Sequence, residues 1–153
     1  MRFLIINGPN LNLLGKREPA VYGTKTLEDL ENILREEAER EHWFLDFFQS
    51  NHEGSLIDRL QKAGDSDGIV LNAGGYTHTS IALRDTIASL SLPVIEVHIS
   101  NIYGREEFRR ESVLSAVCQG VIAGLGFEGY SLALRYLANR TAALRPDSLL
   151  SKK

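Results

Sequence analysis

The sequence predicts an α/β domain: a doubly wound, five-stranded parallel sheet with helices on both faces. Three observations carry this expectation. Five apolar runs rich in Val, Ile and Phe recur at residues 3–6, 44–48, 68–71, 94–99 and 120–125. Largely apolar runs of this length fit strands buried on both faces. Segments of helical period separate most of them, and an alternating strand–helix order is the pattern of a parallel sheet covered by helices.

Taken in order, the first run (FLII) meets Asn7-Gly8-Pro9, which ends it. Leu27, Leu30, Ile33, Leu34 and Ala38 then follow i, i+3, i+4 spacing, with Thr26 placed as an N-cap. After the second run the same stripe returns at Leu56, Ile57, Leu60 and Ala63, and after the third at Leu83, Ile87 and Leu90. The fourth run leads through a long polar segment to the fifth. Tyr130, Ala133, Leu134, Leu137 and Ala138 form the last stripe. With right-handed crossovers this order gives a flavodoxin-like sheet. At 153 residues, one domain spanning 1–153 is expected, with the tail from about residue 141 peripheral.

Composition narrows the function classes. With 43% hydrophobic and 24% charged residues the chain is neither disordered nor membrane-spanning in type. A net charge of −3 argues against a general nucleic-acid binder. The single cysteine, Cys118, cannot form an internal disulfide, so a cytoplasmic location is the default. The four-residue apolar run near the N-terminus is too short for a signal-peptide core or a membrane span. No nucleic-acid or membrane partner is expected.

In a doubly wound sheet ligands bind at the carboxyl ends of the strands. The segments there are NGPNLNLLGKREPAVYGTKT, QSNHEG, NAGGYTHTS and HISNIYGREEFRR. They gather His52, His78 and His98 with Arg17, Arg105, Arg109 and Arg110. The first loop, about residues 8–25, far exceeds the roughly 2–6 residues usual for a βα connection. A disordered insert is one reading. Pro9, Pro19 and Leu13-Leu14 favour an ordered binding loop.

Four chemistries compete for this edge. A phosphate cradle lacks both G-x-x-x-x-G-K-[ST] and G-x-G-x-x-G. A metal site would draw on Glu96 and His98, which share a strand face at i, i+2, together with His78. No cysteine or H-E-x-x-H accompanies them, and Glu96 is equally suited to orient His98 and fix its tautomer. A half-buried, structurally satisfied histidine is the plainer alternative. Covalent catalysis has little to work with. Cys118 reads as core, no lysine lies within a strand run, and there is no G-x-S-x-G elbow. Cofactor-free acid–base chemistry remains. A tyrosine base needs its pKa brought down from about 10, which a neighbouring guanidinium does by favouring the phenolate. Arg17 lies five residues before Tyr22. Arg105 and Arg109, four apart, are placed to face one pocket and to bind a carboxylate, with His98 as the acid. The competing account makes Tyr22 a packing residue and the arginines a solvated face. In NAGGYTHTS, Asn72 ends a strand, Gly74-Gly75 permit a sharp turn, and Thr77 or His78 is expected to open a helix. That helix start could receive an anion or be no more than a turn with an N-cap.

The motifs NGPNLNLLGKREPAVYG, QSNHEG, NAGGYTHTSIALRD, EVHISN and REEFRRES, in this order, closely resemble the type II 3-dehydroquinate dehydratase family. The likeness covers residues 3–137. It implies a flavodoxin-like fold and the conversion of 3-dehydroquinate to 3-dehydroshikimate without cofactor or metal. It assigns Tyr22 as the base acting at C2, with Arg17 activating it and Arg105 assisting. Asn10 would hold a water against the enolate oxygen. His98 would protonate the departing C1 hydroxyl, with Glu96 orienting it. Asn72, His78, Arg109, the Ile99–Ser100 backbone and the Ser100 hydroxyl would bind substrate. Asp85 would reach a neighbouring subunit's site in a dodecamer built from trimers. Tyr103-Gly104 and Val113-Leu114 depart from the family pattern, away from these roles.

Overall fold

Five strands, β1 (Arg2–Asn7), β2 (Phe44–Gln49), β3 (Gly68–Asn72), β4 (Val94–His98) and β5 (Gly120–Ala123), form one sheet. Among the described residues four helices connect or flank them: α1 (Leu27–Glu41), α2 (Glu53–Gln61), α3 (Ile81–Ser89) and α4 (Glu128–Leu144). These come from a computed structural model that describes residues 1–16, 20 and 23–145. All pairings are parallel and the strand order is β2-β1-β3-β4-β5. The chain runs outward from β1 to β2, then crosses back to β3. The reversal therefore lies between β1 and β3, where a doubly wound sheet opens a crevice at its carboxyl edge.

The pleat divides the core. Phe3 and Ile5 pack on one face with Leu30 and Leu34 of α1 and with Tyr130, Leu134 and Leu137 of α4. Leu4 and Ile6 pack on the other with Leu56 and Leu60 of α2 and with Leu83 and Ile87 of α3. Each helix stripe expected from spacing is thus a core face. Helix α1 starts where the sequence places it. The Thr26 hydroxyl accepts the Asp29 N–H at 3.1 Å, and the Asp29 carboxylate accepts the Thr26 N–H at 2.7 Å. The Thr26 N–H, with the Thr26 hydroxyl donating to the same oxygen at 2.9 Å, holds the Asp29 carboxyl below its ordinary pKa.

Three expectations change. Burial on both faces holds for β3 and β4 along their length and for β1 from Phe3, but β2 and β5 are edge strands and only half-buried. The fifth strand stops at Ala123. Neither Thr77 nor His78 opens α3. Gly74 takes φ 57°, the chain makes a 3-10 turn over Gly74–His78, and the helix begins at Ile81. Its cap is Ser80, whose hydroxyl accepts the Leu83 N–H at 2.9 Å. No helix among the described residues is long and apolar enough to cross a membrane.

At the reversal the two strand exits touch through backbone. The Gly8 N–H donates to the Asn72 carbonyl at 2.7 Å, and a Cβ on Gly8 would lie 2.4 Å from the Ala73 carbonyl oxygen. That oxygen is backbone and cannot swing aside. Gly8→Ala is therefore expected to cost on the order of 1–3 kcal/mol through forced overpacking. Gly75→Ala, where an added Cβ meets nothing within 4 Å, should stay near wild type. Thermal unfolding checks both, and equal melting temperatures for the two variants would refute the tight approach.

Candidate active site

A cavity of about 160 Å³ opens at the carboxyl ends of β1, β3 and β4. This is well below the roughly 300–1,000 Å³ of drug-sized pockets, so it suits a small ligand rather than a dinucleotide. Asn10, Asn72, His78, His98, Ile99, Ser100, Arg105 and Arg109 all line it. The structure thus brings together eight of the residues singled out from the sequence, drawn from three separate strand exits.

Strand β4 supplies the floor. Glu96 and His98 project to one side because side chains two apart share a strand face. Glu96 is fully buried and His98 is 5% exposed. The His98 ring donates its Nε2–H to Glu96 Oε1 at 2.6 Å, because a carboxylate can only accept. Glu96 Oε2 accepts the Ser112 hydroxyl at 3.0 Å, and Ser112 in turn accepts the N–H groups of Leu114 and Ser115. Both carboxylate oxygens are therefore occupied by protein donors, and the Nδ1 edge of His98 is left for a ligand. His78 lies nearly parallel to His98, with ring centroids 6.5 Å apart. Its Nδ1 contacts the Glu111 carbonyl at 2.6 Å, so that nitrogen carries the hydrogen and Nε2 is the edge left over. Among the described residues no three His, Cys, Asp or Glu side chains are grouped to hold a metal ion.

The exit of β1 presents Asn10 in the left-handed region, at φ 69°. The loop after β2 holds this conformation. Asn51 Oδ1 accepts the Asn10 N–H at 2.9 Å, and Gln49 Nε2 bridges the Gly8 carbonyl and Asn51 Oδ1, each at 3.2 Å. The exit of β3 presents Asn72, 4% exposed, whose Oδ1 accepts the Gly74 N–H at 3.2 Å. Beyond β4, Ile99 and Ser100 form a wall and the chain folds into two 3-10 turns, Ile102–Gly104 and Glu107–Arg109. Arg105 and Arg109 reach the cavity from these turns and not from one helix face, which the i, i+4 spacing alone suggests. Glu106 ties them together, 3.0 Å from Arg109 Nε and 3.6 Å from Arg105 Nε. Its carboxyl is held below its ordinary pKa by its own backbone N–H first, with both guanidiniums adding. Arg105 also donates weakly to the Ser100 hydroxyl at 3.5 Å.

Two expected residues, Arg17 and Tyr22, lie outside the described residues. Asp85 does not line the cavity; it is exposed on α3, 3.9 Å from Arg84. Cys118 has no nucleophilic character, because burial, with Glu96 adding, pushes its thiol up to about 12. No described lysine lines the cavity. The sequence reading passed over Ser112, Asn51 and Glu106. Ser112 has no local signal, since its partner is sixteen residues away. Asn51 is legible only as a loop polar residue. Glu106, three residues before Arg109, had the spacing of a salt bridge and could have been found.

An imidazole with a buried carboxylate partner, two guanidiniums and two carboxamides in a small crevice can bind an anionic, hydroxylated ligand and move a proton on it. Neither a lysine nor a cysteine is present among the described lining residues. Comparison with known proteins points the same way. Residues 1–138 match the family model described as "Dehydroquinase class II". The 3-dehydroquinate dehydratase of Bacillus pumilus is 64% identical over 143 residues, covering 93% of this chain and 97% of that protein. The crystal structure of the type II dehydroquinase from Butyrivibrio crossotus superposes with a TM-score of 0.89 at 49% identity, covering 90% of this chain and 97% of that one. The type II dehydroquinase from Propionibacterium acnes gives 0.87 at 44% identity, covering 90% and 96%. The chain belongs to the class II dehydroquinase family.

Proposed function

We propose that this protein is a 3-dehydroquinate dehydratase, a hydro-lyase that removes water from 3-dehydroquinate to give 3-dehydroshikimate. The observation that carries the reading is the buried His98–Glu96 pair at the floor of a crevice rimmed by Arg105 and Arg109. Family membership supplies the substrate.

The reaction needs a base at C2, a partner for the developing enolate and an acid for the C1 hydroxyl. The C2 hydrogen lies beside the C3 ketone, so its removal gives an enolate rather than a bare carbanion. Tyr22, as a phenolate favoured by Arg17 and Arg105, takes that proton. These roles for Tyr22 and Arg17 rest on the KREPAVYG motif. Asn10, at the rim, holds a water against the enolate oxygen, where negative charge develops. The C1–O bond then breaks as His98 gives its Nδ1 proton to the departing hydroxyl, and water leaves. Glu96 stays hydrogen-bonded at Nε2 throughout and keeps the ring in the one orientation that aims Nδ1 into the crevice. Base and acid on opposite faces of the substrate make the elimination anti. The substrate carboxylate and hydroxyls are met by Asn72, His78, Arg109, the Ile99–Ser100 backbone and the Ser100 hydroxyl. No cofactor or metal takes part. We also place the enzyme in the cytoplasm, serving aromatic amino-acid biosynthesis or quinate catabolism. We assign it a dodecameric assembly of trimers in which Asp85 serves a neighbouring site, a role suited to its exposed position outside its own crevice.

Mixing the protein with 3-dehydroquinate should produce the conjugated enone of 3-dehydroshikimate, read by ultraviolet absorbance; no absorbance change at high enzyme concentration would end the proposal. Tyr22→Phe should fold normally and lose about 10²–10⁴-fold in kcat, the scale of a general base. Retention of most of the wild-type rate would assign the base elsewhere.

A further inference from the structure

Behind the crevice lies a polar chain of which the mechanism above uses only the Asn72 end. Tyr130, in the first turn of α4, is fully buried among apolar side chains, yet its hydroxyl reaches the carboxyl ends of both β1 and β3. The hydroxyl donates to Asn7 Oδ1 at 2.7 Å and accepts from Asn72 Nδ2 at 2.8 Å. All three side chains are at least nine-tenths buried.

The directions in this chain are fixed by what each atom can do. A carboxamide oxygen only accepts, so Asn7 Oδ1 takes the single phenolic hydrogen of Tyr130. The phenolic oxygen is then left to accept, and Asn72 must turn its NH₂ group toward it. The opposite end of the same carboxamide, Oδ1, accepts the Gly74 N–H at 3.2 Å. One orientation of Asn72 meets both demands and the flipped one meets neither. Nδ2 carries two hydrogens, of which Tyr130 uses one. The other remains for the crevice that Asn72 lines.

We propose that Tyr130 is a positioning residue for substrate: through Asn7 on one side and Asn72 on the other, it sets the Asn72 carboxamide so that it meets the ligand as an N–H donor. The site is thereby polarised to accept a hydroxyl or carboxylate oxygen at that point, and to reject a ligand offering only a donor there. Burial pushes the Tyr130 phenol well above its ordinary range, so the hydroxyl stays neutral and the polarity does not reverse with pH. This inference rests on the proposed reading in which Asn72 binds substrate.

The test is Tyr130→Phe, which keeps the ring and removes the hydroxyl. Loss of one hydrogen-bond constraint on a binding group should raise KM for 3-dehydroquinate about 5–30-fold and leave kcat within about twofold. In an Asn72→Ala background the same substitution should leave KM unchanged, because its route to substrate is gone. An unchanged KM in the single variant, or an equal rise in both backgrounds, would overturn the proposal. A merely structural tyrosine would lower the melting temperature without this split. The hydrogen bond is also read without substrate. One side-chain amide proton of Asn72, assigned in the ¹⁵N–¹H spectrum by its loss in Asn72→Ala, should be protected from exchange in the wild type and lose protection in Tyr130→Phe. Equal exchange in the two overturns the inference even if 3-dehydroquinate is not turned over, and absence of turnover with the expected exchange difference refutes only the substrate. If Tyr130→Phe fails to fold, Asn7→Ala, which frees the phenolic hydrogen, carries the test: KM should rise in the same direction, and an unchanged KM contradicts the proposal.

Discussion

The site depends on the backbone contact between the exits of β1 and β3. Gly8 sits against the Ala73 carbonyl and donates its N–H to Asn72, so the two loops cannot separate without breaking the packing of the sheet's reversal. Adjacent strands whose connections leave in opposite directions always open a crevice there. Here the close approach brings Asn10 and Asn72 to the same opening. Strand β4 lies one step further along the sheet, in a register that pairs Leu71 with Glu96. That register places His98 beyond Asn72 at the strand ends, within reach of the same opening.

A second constraint is electrostatic. Glu96 is a fully buried carboxylate in the sheet's inner layer, a position that is costly unless each oxygen has a donor. His98 and Ser112 supply those donors. The arrangement makes the two roles of the pair inseparable: the imidazole satisfies the carboxylate, and the carboxylate fixes which ring nitrogen faces the ligand. At the rim the arrangement is looser. Glu106, half exposed, pairs with the partly buried Arg105 and Arg109, and both guanidiniums also line the crevice that an anionic ligand would enter.

Much of this was legible because local patterns and chemistry coincide. Largely apolar runs marked the strands, the Thr26 cap marked the start of α1, and polar residues collected where strands end. The i, i+2 spacing of Glu96 and His98 puts them on one strand face. What failed had a physical reason in each case. The cap of α3 fell at Ser80 rather than at Thr77 or His78, because the turn through Gly74 runs longer than Gly-Gly implies. The edge positions of β2 and β5 follow from the strand order, which the apolar runs do not encode. Tyr130 read as one member of a helical stripe, which it is; its hydroxyl meets Asn7 and Asn72 at sequence separations of 123 and 58, beyond any local pattern. Ser112 escaped for the same reason.

The central claim is that His98 acts as the acid only because Glu96 holds it. Steady-state kinetics of Glu96→Gln, which keeps shape and removes the charge, test this most directly. The expected result is a fall in kcat of about 10²-fold or more, as for loss of general-acid function, with KM for 3-dehydroquinate nearly unchanged and the fold intact by circular dichroism. A variant with wild-type kcat would contradict the account, because the buried carboxylate would then be structural and the acid would have to lie elsewhere.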